Sequence, residues 1–91
     1  MIELDLNDSG FQKDLFKLDK INLAKVMGTL KKLAQMAWEQ IYQDQGLHWE
    51  WIEDKDYYTI RASDKIRISA RRDGNLMRFL GIFTNHDDAY N

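Results

Sequence analysis

The apolar residues of this chain pass from helical to alternating spacing near its middle, and that change dictates most of what it can fold into. Leu23, Val26, Met27, Leu30, Leu33, Ala34, Ala37, Trp38 and Ile41 recur at helical spacing, so one face of a helix is apolar over its whole length. From Tyr57 onward apolar and polar residues alternate instead, as in half-buried strands. The strands expected are Tyr57–Ala62, Lys65–Arg72 and Leu76–Thr84, with Trp49-Glu50-Trp51-Ile52 as a further short candidate. Ile2, Leu4 and Leu6 alternate with Glu3, Asp5 and Asn7 and predict one more strand at the N-terminus. Ser9 and Gln12 fit a capping box that opens a first helix ending near Leu18. Asp19 is placed to cap the next. The long stripe reads as one helix or two nearly collinear ones, stopped at Gly46 as a left-handed cap. Gly28 within it is suited to a kink or a close helix crossing.

The expected order β-α-α-β-β-β makes an α+β fold, an antiparallel sheet with two N-terminal helices packed on one face. Its 91 residues leave room for a single domain, 1–91. A hydrophobic fraction of 44% with eleven aromatic side chains is enough for a packed interior. The chain has no cysteine, which excludes disulfides, thiolate zinc sites and a cysteine nucleophile together. His48 and His86 are too few and too far apart to suggest a metal site, so neither metal nor cofactor is expected. No apolar run approaches the roughly 20 residues of a membrane helix. The acidic, alternating Met1-Ile2-Glu3-Leu4-Asp5 start is unlike an export signal. A cytoplasmic protein without membrane contact is the expectation.

Net charge is −2, but it is unevenly distributed. Residues 1–54 carry six basic and ten acidic side chains, residues 55–80 carry seven basic and three acidic, and the last eleven add Asp87 and Asp88. The strand region is therefore a local cationic segment in an acidic chain, and screening over about 8–10 Å lets it act on its own.

Hairpin registers follow from the pattern. With Asp73-Gly74 as a two-residue loop, Arg71 faces Leu76, Ser69 faces Arg78, Ile68 faces Phe79 and Arg67 faces Leu80. With Ser63-Asp64-Lys65 as a three-residue loop, Ala62 faces Ile66, Ile60 faces Ile68 and Tyr58 faces Ala70. One face then holds Tyr58, Ile60, Ala62, Ile66, Ile68, Ala70, Met77, Phe79, Gly81 and Phe83, and the helical stripe covers it. The other face sets Arg61 opposite Arg67, with Arg71 and Arg78 nearby and Leu76, Leu80 and Ile82 beside them. Opposed like charges destabilise a sheet by up to about 1 kcal/mol, so such a face suits an anionic partner. Arginines on exposed strands also serve solubility alone, but the three apolar residues among them favour a partner contact.

Tyr58-Thr59-Ile60-Arg61, Lys65-Ile66-Arg67-Ile68, the Arg71-Arg72-Asp73-Gly74 turn, the apolar last strand and the ending His86-Asp87-Asp88-Ala89-Tyr90 together resemble toxins of the RelE/ParE superfamily. The resemblance runs over nearly the whole chain and is clearest from Tyr57 to Tyr90. It implies a toxin of a type II toxin–antitoxin system, held inactive by a cognate antitoxin and able to form homo- or hetero-oligomers with it. RelE-like members are endoribonucleases that cut mRNA on the ribosome; ParE-like members act on DNA gyrase. A third possibility is a RelE-fold protein that binds its antitoxin without cutting. Arg61 and Arg67 match the basic strand positions of the nuclease branch, and Tyr90 its terminal tyrosine. Thr59 stands where RelE has a lysine, and Thr84-Asn85-His86-Asp87-Asp88 replaces a basic cluster.

Metal-independent RNA cleavage uses the neighbouring 2′-OH as nucleophile, with a base for that hydroxyl, charge stabilisation at phosphorus and an acid for the leaving 5′-oxygen. Arginine suits the second role through its permanently charged planar fork. The catalytic candidates are therefore Arg61 and Arg67, with Tyr90 to stack or move a proton and His86 for acid–base work near its ordinary pKa of about 6.5. Arg71, Arg78 and Lys65 are candidates for binding RNA phosphate; Leu76, Leu80 and Ile82 for binding the antitoxin. Bland readings stand beside these: a penultimate tyrosine can fray, and His86 next to two aspartates can be a surface residue. Trp38, Trp49 and Trp51 read as core or as a docking ridge, His48 as structural, and Lys31-Lys32 as a solvated helix face.

Overall fold

Asp8 opens α1 (Ser9–Lys17): its carboxylate accepts the Phe11 N–H at 3.0 Å. This computed structural model describes residues 1–90, apart from the side chains of His86 and Asp87. The cap expected at Ser9 thus moves back one residue, to a carboxylate that also complements the helix dipole. Gln12 donates to the Leu6 carbonyl instead of closing a capping box. α2 (Lys20–Leu33) begins at Asp19, whose Oδ1 accepts the Asn22 N–H at 2.8 Å.

The long apolar stripe is not one rod. After Leu33 the chain leaves the helix, the Met36 carbonyl accepts the Ile2 N–H at 3.1 Å, and α3 (Trp38–Gln43) restarts with Gln40 accepting the Ala37 N–H. Residues 34–37 are good helix formers, so only this tertiary bond marks the break. Gly46 does not cap in the left-handed region; the glycine with positive φ is Gly74, at +61°. Gly28 meets nothing within 4 Å of a built Cβ, so no helix crosses there.

Asp44 ends α3, accepting the Leu47 N–H at 2.9 Å and pairing with Lys32 at 2.9 Å. The Lys32 hydrogen bond, then the Leu47 N–H, hold its carboxyl below the usual carboxylate value. A carboxylate whose folded pKa is depressed contributes stability above its unfolded pKa of about 3.9, and loses it as pH falls through the folded value. Asp44→Asn should therefore destabilise by about 0.5–1 kcal/mol at pH 6, and the difference from wild type should close in acid, once pH is below the folded value. Urea unfolding at pH 6 and in acid measures this; a constant difference would mean the charge is not responsible.

The strands are β1 (Glu3–Asp5), β2 (Glu50–Ile52), β3 (Tyr57–Arg61), β4 (Arg67–Asp73) and β5 (Leu76–Phe83), followed by α4 (His86–Tyr90). They form a mixed sheet of order β1-β5-β4-β3-β2, in which β1 runs parallel to β5 and the other pairs are antiparallel. The expected β-α-α-β-β-β order is thus corrected by a third helix before the sheet, an extra edge strand and a helix after it. Register across β3 and β4 is the expected one, with Arg61 opposite Arg67, Ile60 opposite Ile68 and Tyr58 opposite Ala70.

Between β4 and β5 the expected register is wrong in two ways. Gly74 and Asn75 form the loop, so Asp73 pairs with Leu76, Arg71 with Arg78 and Ala70 with Phe79. That slip of two keeps every face. A bulge beside Ser69 and Ala70 then leaves Leu80 unpaired, and Ile68 pairs with Ile82 and Arg67 with Phe83. One extra residue reverses the alternation beyond it. Ile82 therefore points into the core, while Gly81 and Phe83 leave the core face on which the pattern placed them. Asp14 on α1 stabilises the irregularity by accepting the Ile82 N–H at 2.9 Å.

Phe11, Val26, Leu30, Leu33, Trp38 and Ile41 from α1, α2 and α3 pack on Ile60, Ile68, Ala70, Met77, Phe79 and Ile82 of the sheet. The rings of Phe11 and Phe79 meet at 5.4 Å. The far face is not bare. Tyr57, which alternates away from Tyr58 and the core residue Ile60, donates its hydroxyl to the Ala89 carbonyl at 2.9 Å, so α4 lies across that side.

Candidate functional site

Strand alternation sets Arg61, Arg67, Arg71 and Arg78 on the sheet face opposite α1–α3. They differ sharply in what they are free to do. Arg67 is only 8% exposed. Its Nη1 donates to the carbonyls of Ser63 at 2.7 Å, Ile66 at 3.0 Å and Asp64 at 3.4 Å. It therefore folds back onto the β3–β4 turn and caps three inward carbonyls. The expectation that Arg67 stands open beside Arg61 is corrected, because a tight turn at the strand's start offers acceptors nearer than any ligand. Among the described residues its Nε finds no partner, and neither does the buried Thr59 Oγ1 on the same face.

Arg61 is half-exposed and bonded to Asp64 at 2.7 Å. Arg71 and Arg78 lie directly opposite each other, also half-exposed. Their own carboxylates are more distant: Asp56 is 3.4 Å from Arg71, whose Nε also donates to the Asp56 carbonyl at 2.8 Å, and Asp5 and Asp73 are each 3.5 Å from Arg78. Exposed ion pairs of this kind contribute at most about 1 kcal/mol, so a phosphate with bidentate geometry can displace them. Arg61 and Arg67 are opposed as the pattern placed them, and Arg71 and Arg78 form a second opposed pair in which both side chains are half-exposed. The register slip that joins them could not be read from the Asp73-Gly74 signal.

α4 covers the other part of this face. Ala89 is fully buried and the Tyr57 ring packs 6.2 Å from Phe83. Burial raises the Tyr57 phenol above its ordinary pKa, so it remains a donor to Ala89. Tyr90 is half-buried on α4, on the arginine-bearing side of the sheet. The His86 side chain lies outside the described residues. Leu76 and Leu80 are half-buried, whereas Ile82 is 8% exposed and belongs to the core. Its expected exposure is overturned by the bulge.

Arg72 takes the opposite side of β4. Its guanidinium stacks 4.2 Å over Trp38 and donates to the Tyr42 hydroxyl at 3.0 Å. Trp38, Tyr42, Trp49, Tyr58 and Trp51 continue from it as one aromatic cluster, with Trp49 and Tyr58 stacked at 4.3 Å. Lys65 lines a cavity of about 580 Å³ with Asn22, Lys25, Ser63, Asp64, Ile66 and Thr84. Sequence pattern alone missed Asn22 and Lys25, since nothing local links α2 to the tip of a hairpin forty residues on. Among the described residues no three His, Asp or Glu side chains converge to hold a metal, and no helix is long and apolar enough to cross a membrane.

Neither a protein-family model nor a curated protein matches the chain. A solved structure, that of a copper-bound point mutant of a toxin from Helicobacter pylori, matches with a TM-score of 0.54 and 20% identity, over 97% of this chain and 98% of that one. The likeness is one of fold, an α+β domain shared over nearly the full length of both chains.

Proposed function

We propose that the protein is the toxin of a type II toxin–antitoxin pair of the RelE/ParE kind, and that it acts on RNA as a ribosome-dependent mRNA endonuclease. The observation that carries this is the Arg71–Arg78 pair: two half-exposed guanidinium groups opposed across β4 and β5, on a face shared with Arg61. Two such forks hold a phosphodiester from both sides and stabilise the charge that grows on it as the 2′-oxygen attacks. The 2′-oxygen bonds to phosphorus, the 5′-oxygen leaves, and α4 brings Tyr90 to the same side of the sheet for base stacking or proton movement. A fold shared with a Helicobacter pylori toxin supports the toxin role, and an antitoxin is the expected partner, with Leu76 and Leu80 left to it on the open side.

A second reading, a toxin that binds its target without cutting RNA, is favoured by Arg67. Its fixed hydrogen bonds remove one cation from the matching nuclease positions, and the buried Thr59 removes another. Primer extension on programmed ribosomes separates the two. Cleavage at the A-site codon, suppressed by the product of an adjacent small reading frame, supports the nuclease. Intact ribosome-bound message together with growth arrest and antitoxin binding supports the second reading.

A further inference from the structure

Arg61, Arg71 and Arg78 each have a carboxylate within 3.5 Å, but the lysines of the cavity beside α2 do not. Lys25 comes from α2 and Lys65 from the β3–β4 hairpin, and both line the same space of about 580 Å³. Neither makes an ion pair among the described residues. Among the described residues the one acidic side chain on the wall, Asp64, is already held by Arg61 at 2.7 Å. Asn22, Ser63 and Thr84 add an amide and two hydroxyls, and Ile66 is the single apolar lining residue among those described. Two lysines lining one cavity put like charge on its wall, and an anion held between them would offset their repulsion.

The wall is also braced from behind. Arg67 bonds the Ser63, Asp64 and Ile66 carbonyls through Nη1, which holds the hairpin tip in shape and places a buried cation under it. Ser63 Oγ accepts the Ile66 N–H at 3.1 Å, tightening the same turn. The two lysines are exposed, but the hairpin backbone beneath them is held in a fixed shape.

We propose that this cavity is a phosphate subsite that holds one phosphodiester of an RNA strand running off the arginine-bearing face. Asp64 and Arg61 join the two regions, since Arg61 stands on that face and Asp64 on the cavity wall. The inference deepens the RNA-directed reading and rests on it for the source of the phosphate.

The test uses the full chain, a short single-stranded oligoribonucleotide and, separately, inorganic phosphate. Lys25→Gln/Lys65→Gln should weaken oligoribonucleotide binding about tenfold at low salt. Its plot of log affinity against log salt should flatten by about 0.7, the slope of one phosphate contact on a single strand. Lys25→Arg/Lys65→Arg should keep most of the binding, and Lys13→Gln, outside the cavity, should change nothing. In the wild type, inorganic phosphate should shift the amide resonances of Asn22, Lys25, Ser63, Lys65 and Thr84. A double variant with wild-type affinity and slope, its amide spectrum still dispersed, overturns the proposal. Phosphate shifts at these amides with oligoribonucleotide binding unaffected overturn the RNA assignment and leave a site for free phosphate. Absence of A-site cleavage is a separate result: it removes the nuclease reading while the binding comparison still stands.

Discussion

Replacing Arg71 and Arg78 together by alanine is expected to reduce RNA cleavage by about a hundredfold to a thousandfold, the loss typical of removing a donor aimed at developing charge. These two are the directly opposed, half-exposed cations of the face, and their ion pairs of 3.4–3.5 Å are long enough to yield to phosphate. Fold stability should change by only about 0.5 kcal/mol or even improve, since like charges directly opposed on a sheet are relieved. Arg71→Lys/Arg78→Lys keeps the charge but not the planar fork, and should recover part of the activity. Primer extension on programmed ribosomes measures the loss, with urea unfolding as the control. Full cleavage by the double alanine variant would move the site elsewhere on the protein.

Arg67→Ala should behave in the opposite sense. Although the sequence resemblance matches Arg67 to a basic strand position of the nuclease branch, its removal is expected to cost about 2–4 kcal/mol of stability. A hydrogen bond to a charged group contributes about 1.5–3 kcal/mol, and turn carbonyls left without a partner add their own desolvation penalty. Any loss of activity would then track unfolding of the β3–β4 hairpin. Urea unfolding decides: a variant as stable as wild type but inactive would return Arg67 to a direct role.

These contrasting expectations for arginines on one sheet face define what was legible in the chain. Asp19 as a cap, the helical stripe, the β3–β4 register and the side of the sheet taken by Arg61, Arg67, Arg71 and Arg78 all follow from local chemistry. They depend on period, capping and the pairing of apolar with apolar, which operate within a few residues. The bulge at Leu80 does not. It answers Asp14 on α1, distant in sequence, and by reversing the alternation it sends Ile82 into the core and Phe83 out. The break after Leu33 answers Ile2 in the same way, and the parallel pairing of β1 with β5 joins the two ends of the chain. The cavity of Lys25 and Lys65 is likewise a product of α2 meeting a hairpin. Sequence alone therefore determined α1, the start of α2, the β1 strand and the three long strands β3–β5, and the sheet face that carries Arg61, Arg67, Arg71 and Arg78. Which cations remain free to bind was decided by tertiary structure, because an arginine's nearest acceptor can belong to a turn, a helix or a ligand, and only the folded chain sets those distances.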